Sequence, residues 1–248
     1  MTVRVWTLST VTTAATVAGY ADLLTAAERH RAEELTDPVV RAEFVCTRAA
    51  LRSVLGAEMA VPPESLRFEA GRHGKPGLVG SERQFNVSHS AGLAVIAVTD
   101  DARPVGVDVQ QQRSAAGLAR LAERYYAPTE ARWVSAAGPA ELEHRFGQLW
   151  ARKEACVKVT GGRLIPGLAW TISADGAETF RCADPEISGR DLAVAAGYHA
   201  AVALAGQQPF AVEQASWPAV LAARESTPSR SAGSPTPLST GDTMAVLG

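Results

Sequence analysis

The chain has 248 residues, 46% of them hydrophobic, enough apolar material to bury a core as one larger domain or two small ones. A net charge of −2 with dispersed basic residues excludes a nucleic-acid binder that works by neutralising phosphates. Cys46, Cys156 and Cys182 are odd in number and lack CxxC spacing, which excludes a disulfide framework and a zinc site and predicts free buried thiols.

In chain order, Val3 and Val5 with Arg4 and Trp6 predict a first strand, and the threonines that follow break the run, so the N-terminus does not read as an export signal. Residues 21–35 and 39–55 read as helices, the second started by Asp37 and Pro38 and stopped by Gly56. The glycine-rich GRHGKPGLVG (71–80) predicts a turn. Residues 85–98 read as strand, turn, strand, with Ser88, His89 and Ser90 in the turn, a surface suited to phosphate. In PVGVDVQ (104–110) three valines alternate with Gly106, Asp108 and Gln110, a half-buried strand that points Asp108 to its polar face. Helices are expected over 117–126, 128–137 and 140–160, then strands over 169–172 and 198–205. AGLAVIAV (91–98) and GYHAAVAL (197–204) echo each other. Residues 225–248, dense in Ser, Thr, Pro and Gly, predict a disordered tail. No run approaches the roughly 18 apolar residues that a membrane span needs, and the expected location is the cytoplasm.

The segment WARKEACVK (150–158) carries the strongest functional signal. Trp150, Glu154 and Lys158 are four apart, so a helix sets a carboxylate and an ammonium at the margin of the apolar face that holds Phe146 and Val157. Trp150 reads as core packing that fixes the helix. Lys153 falls inside the apolar face, where it either snorkels, pairs with a buried carboxylate or reaches substrate.

NVSHS (86–90), VGVDV (105–109) and WARKEACVK, in this order and at these separations, resemble the three signatures of the surfactin-type 4′-phosphopantetheinyl transferases, and the resemblance extends from about Thr25 to Gly206. It implies an α+β fold, a pseudo-dimer of two similar halves with the active site at their junction: an N-terminal half (1–103) that contacts the nucleotide, a C-terminal half (104–224) with the metal and catalytic motifs, and the tail. It further implies a monomer that moves the phosphopantetheine arm of coenzyme A, with Mg²⁺, onto a serine of an apo acyl or peptidyl carrier protein of polyketide or nonribosomal peptide synthesis, releasing 3′,5′-ADP. No nucleic acid or membrane is expected as a partner.

The same resemblance assigns roles. Asp108 and Glu154 would hold the metal, with Glu130 of RYYAPTE (124–130) as a further carboxylate. Gln110, where the family commonly has glutamate, would offer a neutral carbonyl or hold a metal-bound water. Glu154 would also take the serine proton, directly or through water, and Lys158 would neutralise or protonate the departing 3′,5′-ADP. Lys75 would grip the pyrophosphate; Ser88 and His89 would grip the nucleotide phosphates, helped at the 3′-phosphate by Arg31 and by Arg41 or Arg48. Two other readings stand beside this one: a noncatalytic coenzyme A or carrier-protein binding module, supported by Gln110, and a magnesium-dependent pyrophosphate hydrolase.

Overall fold

β1 (Thr2–Ser9) opens the chain, and its alternation sorts four buried side chains onto two faces, Val3 and Val5 on one and Trp6 and Leu8 on the other. The structure is a computed structural model and describes residues 1–71, 74–174 and 178–217. α1 (Ala14–Ala21), capped by Thr13, lies in the threonine-rich stretch where no helix is expected. α2 (Ala26–Glu34) starts later than predicted because Thr25 and Glu28 form a capping box. α3 (Pro38–Met59) begins at Asp37 and Pro38 as expected, yet Gly56 does not stop it. Gly56 is buried inside the helix, which ends at Ala60 in the left-handed region. Burial of this helix outweighs the cost of one interior glycine, about 1 kcal/mol.

β2 (Phe68–Ala70) and β3 (Pro76–Leu78) form a small hairpin, and β4 (Phe85–Ser90) and β5 (Leu93–Thr99) a larger one. The expected turn at Ser88 to Ser90 is corrected here: these residues lie within β4, and the chain reverses at Ala91 and Gly92, with φ of 45° and 90°. Positive φ at both central positions is what a two-residue type I′ hairpin turn needs. β6 (Val105–Gln111) follows, then α4 (Leu118–Tyr125), α5 (Pro128–Ser135) and α6 (Pro139–Thr160), all near their predicted places. α7 (Leu164–Leu168) is an addition that displaces the strand expected over 169–172: Ala169 caps α7, and β7 is Ile172–Ala174. β8 (Thr179–Cys182), β9 (Ile187–Asp191), β10 (Tyr198–Ala205) and β11 (Ala211–Ser216) complete the described chain; only β10 is predicted by periodicity.

The strands form two main sheets, ordered β11-β1-β5-β4 and β6-β10-β9-β8-β7. α3 packs on the first through Val45, Cys46, Ala49 and Val54, which meet Trp6, Phe85 and Ile96. α6 packs on the second through Phe146, Leu149 and Ala155, which meet Ile187, Ala201 and Ala203. A third core joins the sheets: Val3, Val5, Val95 and Ala97 against Val107, Val109, Val202 and Leu204. Each sheet thus carries a 22-residue helix, and the strands are exchanged. β6 leaves the first hairpin for the second sheet, and β11 returns from β10 to pair in parallel with β1. The mixed α+β class is as expected. All three cysteines are free and buried. Among the described residues no helix is long and apolar enough to cross a membrane. The tail over 225–248 lies outside the described residues.

Candidate active site

β4 and β6 are the facing edges of the two sheets, and an unpaired edge leaves backbone groups in need of partners. Alternate residues of NVSHS supply them. Asn86 Oδ1 accepts from Val107 N at 2.9 Å, and Ser90 Oγ accepts from Gln111 N at 3.1 Å. Ser88, between them, donates to Asp108 Oδ1 at 2.7 Å. Strand periodicity therefore makes the motif a polar seam between sheets, with His89 on the opposite face of β4, exposed at its end beyond Phe85 and Val87, which pack in the α3 core.

α6 covers the Gly106–Asp108–Gln110 face of β6. At Gly106 a Cβ would lie 2.1 Å from the Ala155 carbonyl oxygen and 2.6 Å from Val159 N, so only glycine allows this approach. The face expected to be solvated is consequently buried, and Asp108 is 2% exposed. Lys158 Nζ donates to Asp108 Oδ1 at 2.7 Å and to Ser88 Oγ at 2.8 Å, and lies 3.9 Å from Glu154 Oε1. One ammonium thus stands between two carboxylates. Asp108 Oδ2 is buried without a hydrogen-bond partner. Burial pushes the Asp108 carboxyl up to about 6, with Lys158 pulling it down and Glu154 adding to the rise.

Trp150 does more than fill the core. Its Nε1 donates to Glu154 Oε2 at 2.7 Å, while its ring stacks on Phe146 and lies 5.7 Å from the Arg113 guanidinium. The four-residue spacing from Trp150 to Glu154 was the available sign of that bond; nothing in the sequence pointed to Arg113.

Two hard-oxygen carboxylates on facing elements, one with an orphaned buried oxygen, suit Mg²⁺, which accepts one or two carboxylates and completes its shell with substrate phosphates and water. A third protein carboxylate is not brought in. Among the described residues no group of three or more His, Cys, Asp or Glu side chains is placed to hold a metal. Glu130, expected as a further carboxylate, has both oxygens engaged elsewhere: Oε2 pairs with Lys153 Nζ at 2.6 Å and accepts from Ala127 N, and Oε1 accepts from Ile172 N at 2.7 Å. A helix-start carboxylate beside an ammonium is what this apolar site requires. Lys153 is accordingly the partner of a buried carboxylate, and its ammonium also donates to the Trp170 carbonyl and faces the Tyr126 ring. Gln110 shares the strand face of Asp108, two residues on, and its amide donates to the Gln111 carbonyl oxygen at 3.3 Å.

The residues expected at the nucleotide are spread apart. Lys75 Nζ donates to three carbonyl oxygens, those of Val105 and Lys158 at 2.8 Å and Val159 at 3.3 Å, so all its protons have protein acceptors. Arg31 is exposed and pairs with Glu34. Arg48 pairs with Glu28 at 3.3 Å and lies over Phe44 and Phe68. Arg41 alone of the three arginines lines a cleft of about 810 Å³ between α1, α2, α3 and the turn at Ala91 and Gly92. His89 Nδ1 lies 3.2 Å from Glu43 Oε1, a carboxylate on the same cleft wall.

The chain is also similar in sequence to known proteins. Residues 104–212, which contain β6, α6 and β10, match the family model of the 4′-phosphopantetheinyl transferase superfamily. A Synechocystis sp. protein named as a candidate 4′-phosphopantetheinyl transferase is 34% identical over 155 residues, 61% of this chain and 63% of that protein. The 4′-phosphopantetheinyl transferase HetI of Nostoc sp. is 34% identical over 142 residues, 56% and 60% of the two chains. The likeness to the 4′-phosphopantetheinyl transferases is thus carried by the part of the chain that holds β6, α6 and β10. The transferase psf-1 of Bacillus pumilus, 35% identical over 144 residues, 55% of this chain and 58% of that one, and Sfp of Bacillus subtilis, 28% identical over 112 residues, 45% and 48%, agree with the surfactin-type resemblance. The chain spans about three fifths of the length of the first curated relatives it matches.

Proposed function

We propose that the protein transfers the 4′-phosphopantetheine group of coenzyme A to a serine of an apo acyl or peptidyl carrier protein, releasing 3′,5′-ADP. The observation that carries this reading is the set Asp108, Lys158 and Glu154, one ammonium between two carboxylates, closed around a buried oxygen that has no partner in the chain. In the reaction the serine oxygen forms a bond to the β-phosphorus, the bond from that phosphorus to the bridging oxygen breaks, and the serine proton is lost. Such a transfer is limited by alignment and by charge on the phosphate oxygens. Glu154 Oε2 is fixed by the Trp150 indole, which presents Oε1 to the serine proton, directly or through water. The Lys158 ammonium, 2.7 Å from Asp108, balances the phosphate of the departing 3′,5′-ADP. Asp108 and Glu154 would hold Mg²⁺, which supplies neutralisation of the pyrophosphate charge when bound. Arg41 and His89, on and beside the cleft of the N-terminal helices, are the proposed nucleotide contacts, with Ser88 linking them to the Asp108 cluster.

Incubation with coenzyme A, Mg²⁺ and a purified apo carrier protein, read by intact-mass spectrometry, tests this directly. The expected result is a phosphopantetheine adduct on the carrier and loss of about 10²-fold or more in rate for Asp108→Asn and for Glu154→Gln. Coenzyme A binding without an adduct would mark a binding module, and pyrophosphate cleavage without a carrier would mark a hydrolase; either result sinks the transferase reading.

A further inference from the structure

Of the 24 basic Lys and Arg residues only Lys75, Lys153 and Lys158 are lysines, and all three are held by α6 or sit on it. Lys153 and Lys158 pair with carboxylates. Lys75 does not: its ammonium faces three carbonyl oxygens, two from the last turn of α6 and one from the first residue of β6. The last turn of a helix leaves carbonyls without intrahelical donors and carries the negative end of the helix dipole, which offsets part of the desolvation that lowers the half-buried Lys75 ammonium's pKa. The contacted carbonyls belong to residues that matter. One is that of Lys158 itself, and Val105 precedes Gly106, where α6 and β6 approach so closely that a Cβ has no room. Three residues past Val105 stands Asp108, 2.7 Å from the Lys158 ammonium.

We propose that Lys75 is a positioning residue: from the β2–β3 hairpin it pins the end of α6 to the start of β6 and thereby sets the Lys158 ammonium against Asp108, without itself touching the pyrophosphate. The inference rests on the transferase reading for its effect on rate, but the coupling between Lys75 and Lys158 is independent of it. Direct phosphate binding by Lys75 would require release of three carbonyl contacts, whereas positioning uses them as they stand.

Lys75→Met keeps an unbranched stem as far as the Cε position and removes the donors. In the full chain it should lower kcat for carrier modification on the order of ten- to a hundredfold, the effect of misplacing a catalytic group by a fraction of an ångström to one ångström, with KM for coenzyme A changed less than about twofold. A second readout needs no turnover. Acetylation of Lys158 by an amine-directed ester, followed by peptide mass spectrometry, should be several-fold faster in Lys75→Met than in wild type, while Lys153, fully buried, stays unmodified in both. Should Lys75→Met fail to fold, Lys75→Arg serves: a planar fork cannot meet three convergent carbonyls as an ammonium does, so kcat falls and KM holds. A tenfold rise in KM with kcat kept, or unchanged Lys158 acetylation in a folded variant, would overturn the proposal. Wild-type kcat in Lys75→Arg would do the same. Absence of transfer by wild type would instead remove the transferase reading and leave the acetylation result to judge the clamp.

Discussion

At the residue scale, Glu154 is aimed by a neighbour one helical turn away. Its Oε2 is tied to the Trp150 indole and its Oε1 faces Lys158, so the carboxylate has few other orientations open to it. Trp150→Phe removes only the indole donor and keeps an aromatic ring on Phe146. It should lower kcat by about tenfold through loss of one charge-assisted hydrogen bond, with a small change in melting temperature. Parallel steady-state kinetics and calorimetry check this, and a kcat equal to wild type would show that Glu154 needs no such support. Lys153 illustrates the opposite case. A lysine on an apolar helix face is buried here because Glu130 neutralises it and the Trp170 carbonyl accepts a further hydrogen bond, so the pair ties α5 to α6.

At the element scale, the site depends on how closely α6 can lie on β6. Gly106 fixes that distance, and Lys75 closes the far end of the same contact. Gly106→Ala would drive a methyl group into the Ala155 carbonyl and the Val159 amide, backbone atoms that cannot swing aside. The helix must then lift, at a cost of about 1–3 kcal/mol for overpacking, and Lys158 moves away from Asp108. The expected outcome is a melting temperature lowered by several degrees together with a loss of transfer greater than the loss of folded protein. Wild-type stability in that variant would mean that the contact relaxes without consequence. The seam of Asn86, Ser88 and Ser90 explains why Ser88 is buried: one face of β4 mends the edge of β6, while the other packs Phe85 and Val87 in the α3 core and leaves His89 exposed at its end.

At the scale of the whole molecule, the exchange of strands limits what each half can do alone. A division near Arg103, which the motifs suggest, separates β1 from its parallel partner β11 and removes Trp217, which is buried in the first core against Tyr20. It also uncovers Val3, Val5, Val95 and Ala97, each at most 1% exposed in the whole chain. Burial of each valine contributes about 1.5–3 kcal/mol, comparable with much of the net stability of a small domain. A fragment of residues 1–103 should therefore show no cooperative melt and should bind a hydrophobic dye, by near-ultraviolet circular dichroism and fluorescence. A sharp thermal transition in that fragment would establish the N-terminal half as an autonomous domain.

Local pattern was sufficient for much of this molecule. Alternating valines defined β1 and β6, the Asp37–Pro38 start defined α3, and spacing of four placed Glu154 and Lys158 on one helix stripe, because these signals act within a few residues of the chain. The short strands β8, β9 and β11 were not legible, since β11 is mostly exposed and its place comes from pairing with β1, some two hundred positions earlier. Nor could sequence tell which ionisable groups meet. Asp108 reads as solvated until α6 covers it, and Glu130 reads as a metal ligand until Lys153 takes it. Lys75 reads as a phosphate grip until three carbonyls of α6 and β6 claim its protons. Sequence by itself determined on which elements Asp108, Glu154 and Lys158 ride; tertiary structure decided which charges are paired, because pairing depends on desolvation and on distances between segments that only packing brings together.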